Sequence, residues 1–441
     1  SHPHRLTLRL AVGGHPVLGD LDDGPASPDG FNRATVSHNA VVVDGLNQRE
    51  TPDLARVPAP GSDILFFAAD PDFQVATFED RHAYPRSTTR YRQTVLAVAG
   101  AKACYAVSVF EVYGGLQHDQ LFHAPAGSPA CWRVSVPLVP GPPSLLPPSI
   151  PFVRSARAEE GRWFVQSFGA FSNLSQGRLD RPAQAILAAP GAPGVKLHLL
   201  NNAPMTAFAG TSPDPSSPSE ESGRSALVLR RRSGDGETLK TVFVTLFEPI
   251  GAAPPLKGVG RVESPADTVV LVVQTTEGTE HIVVNLRPGT RQSLRLPDGR
   301  PLRTDGLAVR EAPGPGGLTL AGGSFADTDD RVVRQSRASG TIRAVARHNA
   351  AESRGWFETE APLSDPASLA GRIVLIRHGD GTTRGWTLVR AENTPEGRAR
   401  LLVREEPGFL IDPDSQEAHY YQFPRSKLPG PHRFWIAKIA R

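Results

Sequence analysis

The pattern of hydrophobic and polar positions predicts β-strands along almost the whole chain. Residues 5–12 alternate between polar and apolar up to Gly13-Gly14, and residues 16–18 begin a return, so the spacing predicts a hairpin. Residues 93–98 and 106–112 predict the next strand pair. Two further hairpins are predicted, 226–232 with 238–247 and 267–274 with 281–286. A single helical turn is predicted at 364–369.

Composition supports the same fold class. The 441 residues include 42 glycines and 42 prolines, which favour many short strands joined by turns over long helices. We therefore predict an all-β protein in which a large antiparallel β-sandwich (a super-sandwich) is followed by a small β-domain. The sandwich is predicted over residues 1–335 and the small domain over 336–441, because the later part holds short strands and most of the tryptophans.

Charge and cysteine content leave several interpretations open. The net charge is only +3, but 42 of the 48 basic residues are arginines. Arginine suits carboxylate and sulfate groups on an acidic polymer. A GC-rich genome that favours arginine codons is the alternative, and the scattered positions of the arginines favour it. Cys104 and Cys131 form either one disulfide or two buried thiols. No apolar run reaches the roughly 18–20 residues of a membrane span, and no signal peptide is visible.

Two polar motifs near the start of the chain could carry chemistry. His2 and His4 lie two residues apart on a predicted extended segment, so their side chains point to one face, as a ligand or acid–base pair requires. A disordered terminus or a tag remnant is the alternative. The segment 19–24, Gly-Asp-Leu-Asp-Asp-Gly, holds three acids, and an ordinary turn is its alternative.

Two more motifs follow. His38-Asn39 enters the apolar run 40–43, where polar side chains are costly unless they are hydrogen-bonded or bound to metal. A hydrogen-bonded core histidine is the alternative. His118, Asp119 and His123 have metal-like spacing on a strand. Solvated strand positions are the alternative, and a metal-dependent hydrolase built on these three residues is a weaker third hypothesis.

In order and spacing these motifs resemble the C-terminal sandwich of the heparinase II/III-like polysaccharide lyases over residues 1–125. The positions that match the pattern of that family are His2, His4, Leu8, Asp22, Gly24, Thr35, His38, Asn39, Val41, Val43, Asp44, Gly45, Gln48, Gly114, Gly115, His118 and Asp119. Two positions depart from the pattern, because Leu6 and Ser108 stand where the family has aspartate. Leu6 removes a carboxylate that could orient a neighbouring histidine.

The resemblance implies a function and a site. Family members cleave uronic-acid-containing polysaccharides, such as heparin, heparan sulfate or alginate, by β-elimination. The matching positions imply His2 as a catalytic residue and His4, Asp22 and His38 as ligands of a structural zinc. The expected partner is an acidic polysaccharide, with no nucleic acid. The expected location is periplasmic or secreted, with the signal segment outside this chain.

The resemblance also implies a missing part. In the family an N-terminal α-helical toroid supplies much of the catalytic machinery, and we expect this toroid to be missing from the present chain. We therefore expect a truncated or processed product that is inactive alone. The alternative function is a non-catalytic carbohydrate-binding or structural β-sandwich module, which Leu6 favours. Trp356, Trp386 and Tyr420 could stack on sugar rings or belong to the core of the small domain.

Overall fold

The fold is all-β, as predicted. A computed structural model describes residues 5–21, 31–49, 61–100, 103–146, 167–214, 223–251, 254–314, 317–336, 338–348, 354–422 and 425–441. These residues form antiparallel sheets, one closed barrel and four short 3-10 helices. In this part of the chain no helix has the length and apolarity to cross a membrane.

The strands are short and follow one another closely. The first group is β1 (Leu10–Val12), β2 (His15–Leu18), β3 (Val41–Val43), β4 (Asp63–Ala69), β5 (Phe73–Glu79), β6 (Arg90–Ala99), β7 (Cys104–Tyr113), β8 (Gln117–His123), β9 (Cys131–Val134), β10 (Val139–Pro140), β11 (Ser172–Leu179) and β12 (Ala183–Ala188). The second group is β13 (Gly194–Leu199), β14 (Met205–Pro213), β15 (Gly223–Arg232), β16 (Lys240–Ile250), β17 (Gly258–Val262), β18 (Thr268–Gln274), β19 (Thr279–Asn285), β20 (Gln292–Arg295), β21 (Pro301–Thr304), β22 (Ala308–Glu311), β23 (Leu318–Ala321) and β24 (Phe325–Thr328).

The remaining elements complete the chain. The last strands are β25 (Val332–Arg334), β26 (Ala338–Ala346), β27 (Trp356–Thr359), β28 (Ile373–Arg377), β29 (Thr383–Asn393), β30 (Ala399–Val403), β31 (Phe409–Ile411), β32 (Ala418–Tyr420), β33 (Ser426–Leu428), β34 (His432–Ile436) and β35 (Ile439–Ala440). The 3-10 helices are η1 (Phe31–Arg33), η2 (Thr35–Ser37), η3 (Ser167–Ala170) and η4 (Pro366–Leu369). The last of these lies within the predicted helical turn at 364–369.

The chain divides into two compact units. The first comprises residues 1–62 and 79–256, and the second comprises residues 63–78 and 257–441. The domain boundary predicted between residues 335 and 336 stays a prediction.

The first unit is a β-sandwich. One sheet has the order β10-β11-β14-β15-β8-β3, and the other includes the run β6-β7-β16-β13-β12-β9. Side chains from both sheets share one core, in which Phe122 and Leu227 of the first sheet join Phe110 and Phe243 of the second. Because burial of apolar surface is the main favourable term in folding, this shared core explains why two sheets pair here.

Strand β3 of the first sheet is buried on both faces. Val41 and Val43 belong to the core between the sheets, and Val42 belongs to a second cluster on the opposite face. Successive side chains of a strand point to opposite faces. The continuous apolar run of β3 therefore reflects a strand that is covered on both sides.

The second unit contains a smaller sandwich and a barrel. Its sheets have the orders β17-β18-β19-β22-β23-β35 and β20-β21-β24-β25, and they share a core that includes Val283, Leu302 and Leu320. Strands β26-β27-β30-β29-β28-β34 close into a barrel, beside a three-stranded sheet β31-β32-β33. Closure leaves the barrel strands without a free edge.

Of the four predicted hairpins, three are confirmed and one is wrong. Strands β1 and β2, β6 and β7, and β18 and β19 pair as predicted, although β1 covers only the last part of residues 5–12. The predicted hairpin of 226–232 with 238–247 does not form. Strand β15 pairs with β14 and β8, whereas β16 pairs with β13 and β7 in the opposite sheet. The connection between β15 and β16 therefore crosses from one sheet of the sandwich to the other. Each of these buried strands pairs with two strands of its own sheet.

The two cysteines do not form a disulfide. Cys104 is a half-buried free thiol and Cys131 is an exposed one. The alternative of two buried thiols is therefore wrong for Cys131, which lies at the start of the edge strand β9.

Gly114 occupies a position that only glycine tolerates. It has a φ of 110°, and a Cβ atom added there would lie 2.2 Å from the carbonyl oxygen of Ser87. We expect Gly114→Ala to lower the free energy of unfolding by roughly 2–4 kcal/mol, because strain and a backbone clash add together. Urea unfolding measures this loss. Gly234→Ala is the control, because a Cβ atom there meets nothing within 4 Å, and an equal loss in both variants would contradict the assignment.

Candidate functional site

The candidate site surrounds His38 in the first unit. Helix η2 ends at Ser37, and His38 and Asn39 then lead into β3 with 1% and 3% of their surfaces exposed. His2, His4 and Asp22, the other predicted site residues, lie outside the described residues. The structure therefore locates one member of the predicted set, and it shows what surrounds that member.

His38 pairs with a carboxylate that the sequence interpretation did not choose. Its Nδ1 atom lies 2.5 Å from Oδ1 of Asp20, and both side chains are buried. Asp20 also accepts hydrogen bonds from the hydroxyl of Thr7 and the backbone N–H of Leu21. Burial alone would raise the pKa of Asp20, but the hydrogen bond and the charge of His38 outweigh it and the pKa is lowered. Asp20 is therefore a carboxylate at neutral pH.

Asn39 joins three separate segments. Its Nδ2 atom donates to the carbonyl oxygens of Leu8, at 2.9 Å, and Gly19, at 2.7 Å. Its Oδ1 atom accepts the backbone N–H of His123 at 2.7 Å. Buried backbone groups need such partners, because the cost of leaving them unpaired is high. The Asn39 side chain thus links residues 5–8, called the first segment here, to the residue after β2 and to the end of β8.

Gln48 holds the first segment at a second point. Its Oε1 atom accepts the backbone N–H of Arg5 at 2.6 Å, and its Nε2 atom donates to the carbonyl oxygen of Arg5 at 2.8 Å. The same Nε2 atom lies 3.1 Å from the hydroxyl of Tyr91, which donates to the carbonyl oxygen of Val41. The amide of Gln48 thus bonds both the N–H and the C=O of Arg5, as the backbone of a neighbouring β-strand would do. The segment that directly follows His4 is therefore fixed by two amides, Asn39 and Gln48.

Leu6 lies between these two anchoring points. Its backbone has a φ of 55°, in the left-handed region that is costly for a residue with a Cβ atom. The left-handed Leu6 interrupts the first part of the predicted strand at 5–12, which becomes regular only from Leu10 onward. At the position of the family aspartate the chain thus lacks the carboxylate and also departs from strand geometry.

A histidine and an arginine complete the buried polar cluster. His123 and Arg224 have no measurable exposure, and Arg224 donates from Nη2 to the carbonyl oxygen of Ser37. In the described part of the chain, Nε2 of His123 and the Nε and Nη1 atoms of Arg224 have no hydrogen-bond partner. Burial, followed by the charges of Arg224 and His38, holds the pKa of His123 well below its ordinary value. Burial lowers the pKa of Arg224 to about 10, so at neutral pH the histidine is neutral and the arginine is cationic.

The second candidate cluster, on β8, does not converge on one site. His118 uses both ring nitrogens, toward the hydroxyl of Thr241 and the carbonyl oxygen of Gly114. Asp119 points to the other face of the strand, where it pairs with Arg230 at 2.6 Å. No group of three metal-ligating side chains is present among the described residues. A hydrolase built on His118, Asp119 and His123 is therefore wrong, because neighbouring positions of a strand face opposite ways.

Two of the three aromatic residues proposed for sugar stacking belong to the barrel core. Trp386 is 6% exposed and packs edge-on against Phe357, and Tyr420 stacks on Phe409. Trp356 is half-buried. The guanidinium carbon of Arg400 lies over its ring, 4.7 Å from the ring centroid. The core interpretation thus holds for Trp386 and Tyr420.

Asp20 and Arg224 are the site residues that sequence interpretation missed. Asp20 belongs to the acidic segment 19–24, and its position directly after β2 was the available signal. Arg224 lies more than 180 residues from its partner Ser37, so no local pattern could reveal it.

Comparisons with known proteins give distant structural similarities. No family model matches the sequence, and no curated protein matches it. A structure of heparinase III is 13% identical, with a TM-score of 0.39, and the match covers 65% of this chain and 36% of that one. A heparan sulfate lyase HepC mutant from Pedobacter heparinus is 11% identical, with a TM-score of 0.41, and the match covers 65% and 37%.

A third solved structure gives similar values. The heparinase III-BT4657 gene product with methylated lysines is 14% identical, with a TM-score of 0.40, and the match covers 65% of this chain and 36% of that one. The chain thus spans a little more than a third of the length of each of these proteins.

Proposed function

We propose that the chain is the C-terminal part of a polysaccharide lyase that cleaves uronic-acid-containing polysaccharide by β-elimination. One observation carries the proposal beyond the sequence motifs. Asn39 and Gln48, both motif positions, bond the backbone of Leu8 and Arg5 and so anchor the segment that follows His2 and His4. Amides at these positions are expected if the segment must present a histidine in a fixed place.

The reaction sets three tasks. A cation or hydrogen-bond donor must neutralise the uronate carboxylate, so that the C5 proton becomes acidic. A base then removes that proton, and its electron pair forms the C4–C5 double bond while the C4–O4 bond breaks. An acid returns a proton to O4, which leaves as the hydroxyl of the shortened polymer. No oxidant, reductant or further reactant is needed.

We assign His2 to proton transfer at the sugar, on the strength of its motif position. His38 and Asp20 have a different role, because both are buried and cannot touch a polymer. They act as positioning residues that hold the junction of η2 and β3. The alternative function is a non-catalytic carbohydrate-binding or structural module, and Leu6 at the aspartate position is the observation that favours it.

The test is an assay of the full gene product that contains these 441 residues. Heparin, heparan sulfate and alginate are the substrates, and a neutral glucan is the negative control. We expect ultraviolet absorbance of an unsaturated product with at least one uronan. His2→Ala should abolish it, whereas His15→Ala, an exposed histidine on β2, should leave it unchanged. Absence of product from every uronan, with polymer binding retained, would establish the non-catalytic alternative.

We also propose that His38, with His4 and an acid of the segment 19–24, holds a structural zinc. The donor types fit, because imidazole nitrogen and carboxylate oxygen are zinc ligands, and the structure provides Asp20 beside His38. The cationic Arg224 nearby makes a hydrogen-bond network without metal the competing arrangement. Bound zinc would brace the junction of the segments and would take no part in proton transfer.

Metal analysis separates these two arrangements. We expect one zinc per purified chain, and a chelator should lower the melting temperature of the wild type. His38→Ala should lose the metal and the chelator effect, whereas His15→Ala should keep both. A metal-free protein whose melting temperature does not respond to chelator would contradict the zinc proposal. The hydrogen-bond network without metal would then be the arrangement around His38.

A further inference from the structure

A second candidate site lies on the barrel of the second unit. A groove of about 830 Å³ opens between strands β26, β34 and β28 and the glycine-rich turn after β28. This volume falls in the range of roughly 300–1,000 Å³ that is typical of ligand sites. Charged, aromatic and hydroxyl side chains line the groove, among them Arg377, Arg433, Asp380, Trp435, Ser339 and Thr341.

The groove places two like charges side by side. Arg377 and Arg433 are directly opposite each other on the antiparallel strands β28 and β34, and both are exposed. Directly opposite residues have Cβ atoms roughly 4.5–5.5 Å apart, and like charges in such a pair repel. Among the described residues neither guanidinium has an ion-pair partner, whereas Arg343 and Arg398 of the same barrel both face Glu358. The repulsion is relieved if an anion binds between the two arginines.

An aromatic ring and two hydroxyls lie beside the arginine pair. Trp435 is two residues along β34 from Arg433, so both side chains point to the same face. The indole is partly exposed, and it has no aromatic or cationic partner in the described part of the chain. Ser339 and Thr341 are opposite Trp435 and Arg433 on β26. A flat apolar ring, two arginine forks and two hydroxyls are complementary to a sugar that carries a carboxylate.

The single acid of the groove does not neutralise the pair. Asp380 is part of the turn, where its carboxylate accepts hydrogen bonds from the backbone N–H and the hydroxyl of Thr382. Its carboxylate therefore helps to shape the turn. One carboxylate against two guanidinium groups leaves the groove with a net positive charge.

We propose that this groove binds a uronic-acid residue of an acidic oligosaccharide, with the carboxylate between Arg377 and Arg433 and the sugar ring against Trp435. The proposal rests on the proposed function for the class of polymer, but it does not require chemistry at the first unit. The barrel site would retain the polymer or its product through binding alone.

Binding of unsulfated oligouronates to the full 441-residue chain tests the proposal. Isothermal titration measures affinity, and a change in tryptophan fluorescence that is lost in Trp435→Ala reports on Trp435. The double variant Arg377→Gln/Arg433→Gln should weaken binding at least about tenfold, because two charge-assisted contacts are lost. Trp435→Ala should weaken binding as well, and Trp435→Tyr should restore part of it.

A charge-matched control separates this site from general attraction to a basic surface. Arg390→Gln/Arg404→Gln removes two exposed arginines of the same barrel and should leave affinity within about twofold, because screened surface charges act weakly. The same oligosaccharide with its carboxyl groups reduced should not bind. Equal loss in both double variants, or equal binding of the reduced sugar, would overturn the proposal.

The two proposals fail in different ways. Absence of lyase activity with retained, Arg377-dependent binding would overturn only the proposed function. Lyase activity with binding that is unaffected by the double variant would overturn only the barrel site. Melting temperatures of all variants confirm that each one is folded before its affinity is interpreted.

Discussion

Asn39→Ala is expected to lower the free energy of unfolding by roughly 3–5 kcal/mol, because three buried hydrogen bonds are lost together. The alanine leaves the carbonyl oxygens of Leu8 and Gly19 and the backbone N–H of His123 without their partners. The methyl group cannot replace any of these bonds, and water has little access to a residue that is 3% exposed. Urea unfolding followed by circular dichroism measures the loss.

Two further variants show whether the hydrogen bonds are the cause. Asn39→Asp keeps the size and the acceptor oxygen but removes both donors and buries a charge, so it should be at least as damaging. Asn202→Ala is the control, because Asn202 is exposed and its loss should change stability by less than about 0.5 kcal/mol. A loss below about 1 kcal/mol for Asn39→Ala would mean that Asn39 does not link the three segments as described.

Acidification is expected to destabilise the barrel through His378. Its Nδ1 atom lies 2.9 Å from Nδ1 of His432, and its Nε2 atom lies 2.9 Å from the hydroxyl of Tyr420. His432 lies 3.0 Å from the carbonyl oxygen of Gln416 through Nε2, which must therefore carry the proton. It follows that Nδ1 of His432 accepts from His378, and that Nε2 of His378 accepts from Tyr420. The chain of bonds satisfies every ring nitrogen with both rings neutral.

The direction of the pH effect follows from the neutral rings. Burial, followed by the charge of His432 and, to a smaller extent, of Arg384, lowers the pKa of His378 to about 3, against the opposing charge of Asp380. In the unfolded chain this histidine is protonated below about pH 6.5, whereas in the folded barrel it stays neutral down to about pH 3. The contribution of neutral His378 to stability is therefore fully present above about pH 6.5 and is lost as the pH falls toward 3. Between about pH 7 and about pH 5 this residue alone should remove about 2 kcal/mol.

His378→Gln tests this expectation, because glutamine can donate and accept hydrogen bonds but does not titrate in this range. We expect the variant to be less stable near neutral pH and to lose less stability on acidification than the wild type. Urea unfolding followed by tryptophan fluorescence, at about pH 7 and about pH 5, gives the free energy of unfolding at each pH. The change between the two pH values is the slope that is compared between the wild type and the variant. His15→Gln, an exposed histidine, should keep the wild-type slope. An unchanged slope in His378→Gln would contradict the assignment.

Other buried histidines add to the same acid sensitivity. Burial also lowers the pKa values of His118, His123 and His432. The total loss of stability between neutral and mildly acidic pH should therefore exceed the contribution of His378 alone. This is why the comparison of slopes, rather than the total loss, is the informative measurement.

The local pattern of hydrophobic and polar residues located individual strands, but it did not determine which strands pair. Residues 267–274 and 281–286 pair as a hairpin because a short turn brings them together as neighbours in one sheet. Residues 226–232 and 238–247 have equally clear patterns, yet they belong to opposite sheets. Both strands are apolar on both faces, so alternation gives no information about which sheet each joins. Only the packing of the whole sandwich decides this.

The site divides in the same way. The motif positions identified His38, Asn39 and Gln48 as a related set, and these buried residues flank β3, with His38 and Asn39 before it and Gln48 after it. The pairing of Asp20 with His38 depends on where β2 ends, which composition does not specify. Arg224 and the arginine pair Arg377 and Arg433 come from distant positions, and only strand register brings each to its neighbours.

The sequence by itself determined that this protein is all-β, where several of its strands lie, and which residues carry a recognisable motif. These properties follow from local chemistry, because alternation, turn residues and the cost of burying polar groups act over a few positions. The tertiary structure alone decided that Asp20 meets His38, which amides anchor the first segment, and that two arginines share a groove. These arrangements depend on pairing between distant strands, whose register is fixed by the burial of whole sheet faces.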